Sequence, residues 1–221
     1  LTEVSGPERC VIPVYGPGHK TDTSVDLTDE ASIVAAAETI KYITESQQEL
    51  IESAGLADEY EIYPVLINCA GVNYINWFDQ ADFSWFDRLM KINVSGPLRL
   101  IQELIGVKPP AFPGDVNWFR GHGAILNIVS NASHMAMTNS TFYNATKGAF
   151  HIATLSLARE LRKTHGICVF GVSPNKLSGT QMSKYIEDRV PSLRGWTPEQ
   201  AAAYQLAALP DFAHLLIRAR Q

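Results

Sequence analysis

Cysteine is scarce in this sequence. The three cysteines, Cys10, Cys69 and Cys168, are odd in number, far apart and form no Cys-x-x-Cys, so neither a disulfide framework nor a zinc site is suggested. Lys/Arg-rich runs are missing, and a formal net charge of −5 offers no basic patch to a nucleic acid. No apolar run approaches the ~18 residues a membrane helix needs. The chain starts at Leu1 without a basic stretch leading into an apolar one, which is not a secretory signal, and a cytoplasmic location is expected. Glycosylation-type triplets at Asn93, Asn131, Asn139 and Asn144 then read as chance. Internal repeats, low-complexity tracts and long linkers are absent too. With 221 residues, 46% of them hydrophobic, the chain suits one well-buried domain, or at most two small ones.

What is present is an alternation of strand-like and helical runs. Residues 9–15 and 24–27 read as strands, separated by the turn-rich "GPGHKTDT". A helix then starts at Thr28 as N-cap, with Asp29 and Glu30 in its first turn. Its apolar residues Ile33, Ala36, Ala37, Ile40 and Ile43 recur at helical spacing. "YPVLINCAG" (63–71) is a buried strand entering a glycine turn. Residues 84–107 are helical, with Leu89, Ile92, Leu100, Ile101 and Leu104 apolar and Pro97 as a kink. "KPPAFPGDVNWFRGHG" reads as a surface loop. "GAILNIVS" (123–130) and "ICVFGVSP" (167–174) are strands on either side of a helix that Gly166 ends. A last helix has Pro198 at its first position. Continuous apolar strands separated by helices predict a parallel sheet covered on both faces, whose ligands bind at the carboxyl ends of the strands. Asn68, Ser130 and Ser173-Pro174-Asn175 stand at three such ends.

Tyr143 and Lys147 lie four residues apart on a predicted helix, so they share a face. For a phenol to act as acid or base near neutrality, its pKa should fall by ~3 pH units, or ~4 kcal/mol. A unit positive charge ~4 Å away at an effective dielectric of ~20 supplies about that much. Ser130 precedes Tyr143 by thirteen residues, at a strand end where its hydroxyl could meet a substrate oxygen. The small residues of Asn68-Cys69-Ala70-Gly71 let a flat ligand approach the backbone. Asn93 interrupts an apolar helix face four residues before Pro97 and could hold a water or a carbonyl freed by the kink.

In this order, "VDLTDEASI", "NCAG", "FDRLMKINVSGPLRL", "ILNIVS" and "YNATK" resemble the motifs of the short-chain dehydrogenases/reductases over roughly residues 24 to 182. The resemblance implies a single three-layer Rossmann-type α/β domain spanning 1–221, with a doubly wound parallel sheet, and an oxidoreductase that interconverts an alcohol and a carbonyl. It implies Tyr143 as proton donor and acceptor and Lys147 as its electrostatic helper, which also holds the nicotinamide ribose. Ser130 would orient the substrate, and Asn93 would bind a water in a proton relay. Asp26 and Leu27 would flank the adenine, with Asn68, Ala70 and Gly71 at the adjoining ribose. Pro174, Leu177 and Thr180 would face the nicotinamide carboxamide. The implied cofactor is NADP, favoured by His19 and Lys20 after the second strand, with NAD possible. A homodimer or homotetramer and a small-molecule substrate are implied as well.

The sequence departs from that pattern in three places. A glycine-rich Thr-Gly-x-x-x-Gly-x-Gly turn on a first strand is not found, which places Leu1 partway through the first crossover helix, with about 25–30 residues expected before it. Pro174-Asn175 stands where the family has Pro-Gly. No last strand or terminal glycines are recognisable, and "PDFAHLLIRARQ" matches nothing.

Three other readings compete. His134 near Ser130 suggests a hydrolase, but no Gly-x-Ser-x-Gly elbow surrounds Ser130. A non-catalytic relative that serves as a binding or scaffolding protein is a second. Epimerisation or dehydration through transient hydride transfer is a third, though no larger substrate domain accompanies it. Trp77, Phe78, Phe83, Trp85 and Phe86 form an aromatic cluster that reads as packing between helices, or as one wall of an apolar substrate pocket.

Overall fold

The computed structural model describes residues 10–16, 19–106, 118–119, 122–177, 179–207 and 216–218. Strands β1 (Cys10–Gly16) and β2 (His19–Val25) lead into helix α1 (Glu30–Ser53) and strand β3 (Val65–Asn68). Helices α2 (Phe83–Met90) and α3 (Gly96–Ile105) follow, then β4 (Ala124–Ile128), α4 (Thr141–His165) and β5 (Cys168–Val172). Helices α5 (Gln181–Arg194) and α6 (Pro198–Ala207) precede β6 (Leu216–Arg218). The larger sheet has the order β3-β4-β5-β6, with the first three strands parallel and β6 antiparallel to β5. A parallel sheet with flanking helices is the α/β Rossmann-type arrangement the apolar runs predict. The edge strand β6 lies in the stretch that matched nothing in the sequence.

The N-terminal strands differ from the expectation. They form a separate antiparallel hairpin, paired from Cys10↔Val25 to Gly16↔His19, and β2 begins inside the segment expected to be a turn. Only two residues separate these strands in the sequence, whereas a parallel return needs a crossover of about a dozen residues.

The core forms where the apolar periodicity placed it. Ile33, Ala36, Ala37 and Ile40 of α1 are buried, as are Leu89, Ile92, Leu100, Ile101 and Leu104 of the second helical stretch. They pack with Leu66, Ile125 and Val169 of the sheet. Asn68 and Asn127 are register partners on this same sheet face. The Asn68 amide donates to Asn127 Oδ1 at 2.9 Å, and the Asn127 amide donates to Thr154 Oγ1 at 3.0 Å. Buried amides need such partners, and this chain of bonds joins β3, β4 and α4.

Two local expectations need correction. The N-cap of α1 is Asp29, whose carboxylate accepts from the N–H groups of Ala31 and Ser32. Thr28 is instead turned towards Asp26, donating both its N–H and its hydroxyl to that carboxylate, at 2.8 and 2.7 Å. The predicted loop at 108–123 falls mostly outside the described residues, but Phe119 within it is fully buried. Its neighbour Trp118 donates through Nε1 to Thr44 Oγ1 at 2.7 Å. A large aromatic gains more from burial than a surface position offers.

Candidate active site

The α2–α3 stretch carries a π turn, Lys91–Ser95, around Asn93. The N–H of Gly96 reaches back five residues to the Lys91 carbonyl. In a regular helix the Asn93 carbonyl would accept from residue 97, but that residue is a proline and has no N–H. The widened turn therefore replaces the simple kink expected at Pro97. The Asn93 side chain is almost fully buried. It accepts from the Val72 N–H and donates to the Val72 carbonyl, both at 2.9 Å, and donates to Thr146 Oγ1 at 3.1 Å. Asn93 thus clamps the glycine turn after β3 to α4.

Helix α4 presents Tyr143, Thr146 and Lys147 to the interior, where all three are buried. Lys147 Nζ donates to the carbonyl of Ile128, the last residue of β4, at 3.1 Å. It stands 5.8 Å from the centre of the Tyr143 ring. Gly71 closes this corner: a Cβ there would come within 3.4 Å of both Lys147 Nζ and Asn93 Oδ1. Ser130 starts the turn after β4, its hydroxyl accepting from the Ala132 N–H at 3.1 Å. The Tyr143 phenol has Met182 Sδ 3.9 Å from its oxygen and the Ser130 side chain near enough to favour its ionised form.

The electrostatics run against the sequence expectation that Lys147 lowers the phenol. Burial raises the Tyr143 pKa, and the Ser130 side chain offsets only part of that. Removal of the phenol from water is the dominant influence on it. Burial also lowers Lys147 to about 8, opposed by Cys69 nearby.

The remaining predicted residues divide in two. Gly71 adjoins Lys147, and Pro174 accepts from the Asn131 N–H at 3.1 Å, joining the ends of β4 and β5. Asp26 is occupied by Thr28. Leu27 is buried against Gly96, and the Asn68 side chain faces Asn127 inside the sheet. Ala70 packs on the core. Leu177 is exposed. Thr180 caps α5, accepting from the Ser183 N–H and donating to the Leu177 carbonyl, both at 3.0 Å. The side chains of His19 and Lys20 lie outside the described residues.

Sequence reasoning missed Thr146 and Met182. Thr146 donates to the Tyr143 carbonyl at 2.9 Å while accepting from Asn93; its place three residues after Tyr143 on a helix was the available signal. Met182 carried none. Of the aromatic residues, Phe78, Phe83 and Phe86 pack around Phe142, with ring centroids 5.0 Å apart for Phe83 and 5.1 Å apart for Phe86. Trp85 stacks on Tyr74, and Trp77 Nε1 donates to the Leu193 carbonyl. Among the described residues there is no cluster of three or more metal-ligating side chains, and no helix is long and apolar enough to cross a membrane.

Residues 19–191 match the family profile of the short chain dehydrogenases. The chain is 30% identical over 130 residues to an uncharacterised oxidoreductase of Staphylococcus saprophyticus, covering 59% of this chain and 50% of that protein. It is 27% identical over 207 residues to an NAD-dependent glycerol dehydrogenase of Listeria innocua, covering 88% of this chain and 77% of the relative. The fold is similar to that of sorbitol-6-phosphate 2-dehydrogenase from Erwinia amylovora, with TM-score 0.60 and 23% identity over 84% of this chain and 63% of that one. A profile match over most of its length, joined to the parallel sheet and the ordered motifs, establishes that the chain belongs to the short-chain dehydrogenase family.

Proposed function

We propose that the chain interconverts an alcohol and a carbonyl with NAD(P), and that Tyr143 transfers the proton. The observation that carries this reading is the convergence of the Tyr143 phenol, the Ser130 hydroxyl and the Lys147 ammonium at the carboxyl end of β4.

The corner beside Lys147 fits a nicotinamide ribose. Lys147 has three N–H groups, and the Ile128 carbonyl takes one of them, so two can serve ribose hydroxyls. The missing Cβ of Gly71 keeps the approach to the ammonium open. When bound, the dinucleotide supplies or accepts the hydride. Ser130 donates to the substrate oxygen and fixes its orientation. Tyr143, which burial favours in its protonated form, gives its Oη proton to that oxygen in reduction; in oxidation it first releases that proton to water and then takes the alcohol's proton as the phenolate. Asn93 holds the Gly71–Val72 turn and α4 at a fixed separation, and its backbone carbonyl, lacking the Pro97 donor, can bind a water that resupplies the proton.

NADP and NAD are tested side by side: His19 and Lys20, on which the NADP expectation rested, belong to strand β2 itself and do not follow it, and the Listeria relative is NAD-dependent by its name. A small alcohol or carbonyl is the substrate, and a homodimer or homotetramer is the assembly read from the family resemblance. Titration with NADPH and NADH by fluorescence, followed by turnover of a carbonyl panel, tests the proposal. Nucleotide binding with turnover that Tyr143→Phe abolishes supports it; absence of nucleotide binding overturns it.

A further inference from the structure

Helix α5 lies across the loops on both sides of Tyr143 and is fastened to each. The Tyr185 hydroxyl accepts from the Ile75 N–H at 3.2 Å, and Trp77 Nε1 donates to the Leu193 carbonyl at 3.2 Å. At the far end, Arg194 donates to Asn139 Oδ1 at 3.0 Å and to the Thr138 carbonyl at 3.2 Å. These bonds fix where the first turn of α5 sits, and that turn carries Met182. Met182 Sδ stands 3.9 Å from Tyr143 Oη. A thioether is a weak acceptor, so it stands in the direction from which a substrate oxygen must approach the phenol. The Tyr143 side is nearly closed, with the residue 7% exposed. An unbranched, flexible side chain such as methionine fills an irregular space and adjusts to its occupant.

We propose that Met182 is a specificity-determining residue: its side chain occupies the space over the Tyr143 hydroxyl and sets how large a substituent beside the reacting carbon can be. The inference rests on the reading of Tyr143 as the proton donor. Small ketones fit by displacing the thioether from the phenol, and bulky ones collide with it while α5 stays fastened. Shortening residue 182 opens that space without touching Ser130, Tyr143 or Lys147.

The test compares wild type with Met182→Ala and Met182→Leu in two measurements. The first is kcat/KM for 2-butanone and for 2-acetonaphthone. Met182→Ala should raise the bulky-to-small ratio about tenfold or more, within the range by which pocket methylenes discriminate substrates, and Met182→Leu should stay near wild type. The second needs no turnover: nitration of Tyr143 by tetranitromethane, located by peptide mass, with buried Tyr74 as internal control. Met182→Ala should nitrate several-fold faster at Tyr143 and unchanged at Tyr74. Unchanged nitration of Tyr143, or faster nitration of both tyrosines through general loosening, overturns the inference, as does an unchanged substrate ratio in an active enzyme. If Met182→Ala exposes Tyr143 but neither protein turns over any carbonyl, the oxidoreductase reading fails and the specificity role falls with it.

Discussion

Lys147 donates its described hydrogen bond, 3.1 Å long, to the Ile128 carbonyl, which fixes an ammonium at the end of β4, two residues before Ser130. That bond comes from a side chain only 4% exposed. Burial costs the charged form more than one carbonyl and the nearby Cys69 return, so the ammonium is held at a cost in stability. A buried, perturbed ammonium beside a phenol is the physical reason Lys147 is proposed as a functional residue.

The cost is measurable. The lysine pKa falls from 10.5 to about 8 in the folded protein, a difference worth about 3 kcal/mol. Below pH ~8 both states hold the proton and the penalty is constant. Between about 8 and 10.5 only the unfolded state holds it, so stability from this group rises with pH. Lys147→Met should therefore raise stability at pH 7 by up to about 3 kcal/mol, and its advantage should fade towards pH 10.5. Urea unfolding of both proteins across that range checks the sign, and an advantage that grows with pH would contradict it. Carbonyl turnover should be lost in the same variant.

Tyr143→Phe should leave the fold intact, because the described hydrogen bond of the phenol oxygen goes only to the weakly accepting Met182 Sδ. Removing a positioned acid typically costs about 10²–10⁴-fold in rate. Circular dichroism should be unchanged while kcat falls by that factor, with little change in nucleotide affinity. Full turnover in the variant would mean that the proton comes from elsewhere.

Asn93→Ala should be costly to the fold itself. It leaves the Val72 N–H and carbonyl and the Thr146 hydroxyl without this partner, at about 1–3 kcal/mol for each buried group left unpaired. A loss of at least about 2 kcal/mol in urea unfolding is expected, and less than half of that would show that water replaces the amide. Asn93→Asp keeps the acceptor and loses both donated bonds, so its loss should lie close behind.

Much of this arrangement was legible because it is local. Ile33, Ala36 and Ile40 announce the buried stripe of α1 at helical spacing, and Gly166 marks the end of α4 by adopting φ 71°. Tyr143 and Lys147 share a face for the same reason. The rest depended on partners remote in sequence. Asn93 finds Val72 21 residues away and Thr146 53 away, and Met182 reaches Tyr143 across 39. No pattern within one element encodes such a pairing. A spacing of four residues gives a shared face, not a distance, and says nothing of the burial that raises the phenol pKa. Phe119 was concealed by the Pro/Gly-rich segment around it.

Two glycines give the sharpest contrast in the packing of this site. At Gly96, just after the π turn, an added Cβ would meet the Leu27 carbonyl oxygen at 2.6 Å, the Leu27 Cβ at 2.8 Å and the Lys91 carbonyl oxygen at 2.9 Å. Two of these atoms are backbone and the third is fixed to it, so no side-chain rotation relieves the contact. Gly96→Ala should push α3 away from the segment after β2 and destabilise by about 1–3 kcal/mol. Gly148, inside α4, would meet nothing within 4 Å. Gly148→Ala should instead stabilise by about 0.5–1 kcal/mol, because alanine loses less backbone freedom in a helix. Because Gly148 follows Lys147 directly, retained nucleotide affinity in this variant would show that the helix can be stiffened without moving the ammonium. Opposite signs of the two unfolding shifts would establish that Leu27 packs directly on Gly96, whereas two gains in stability would mean that this contact is looser than the structure places it.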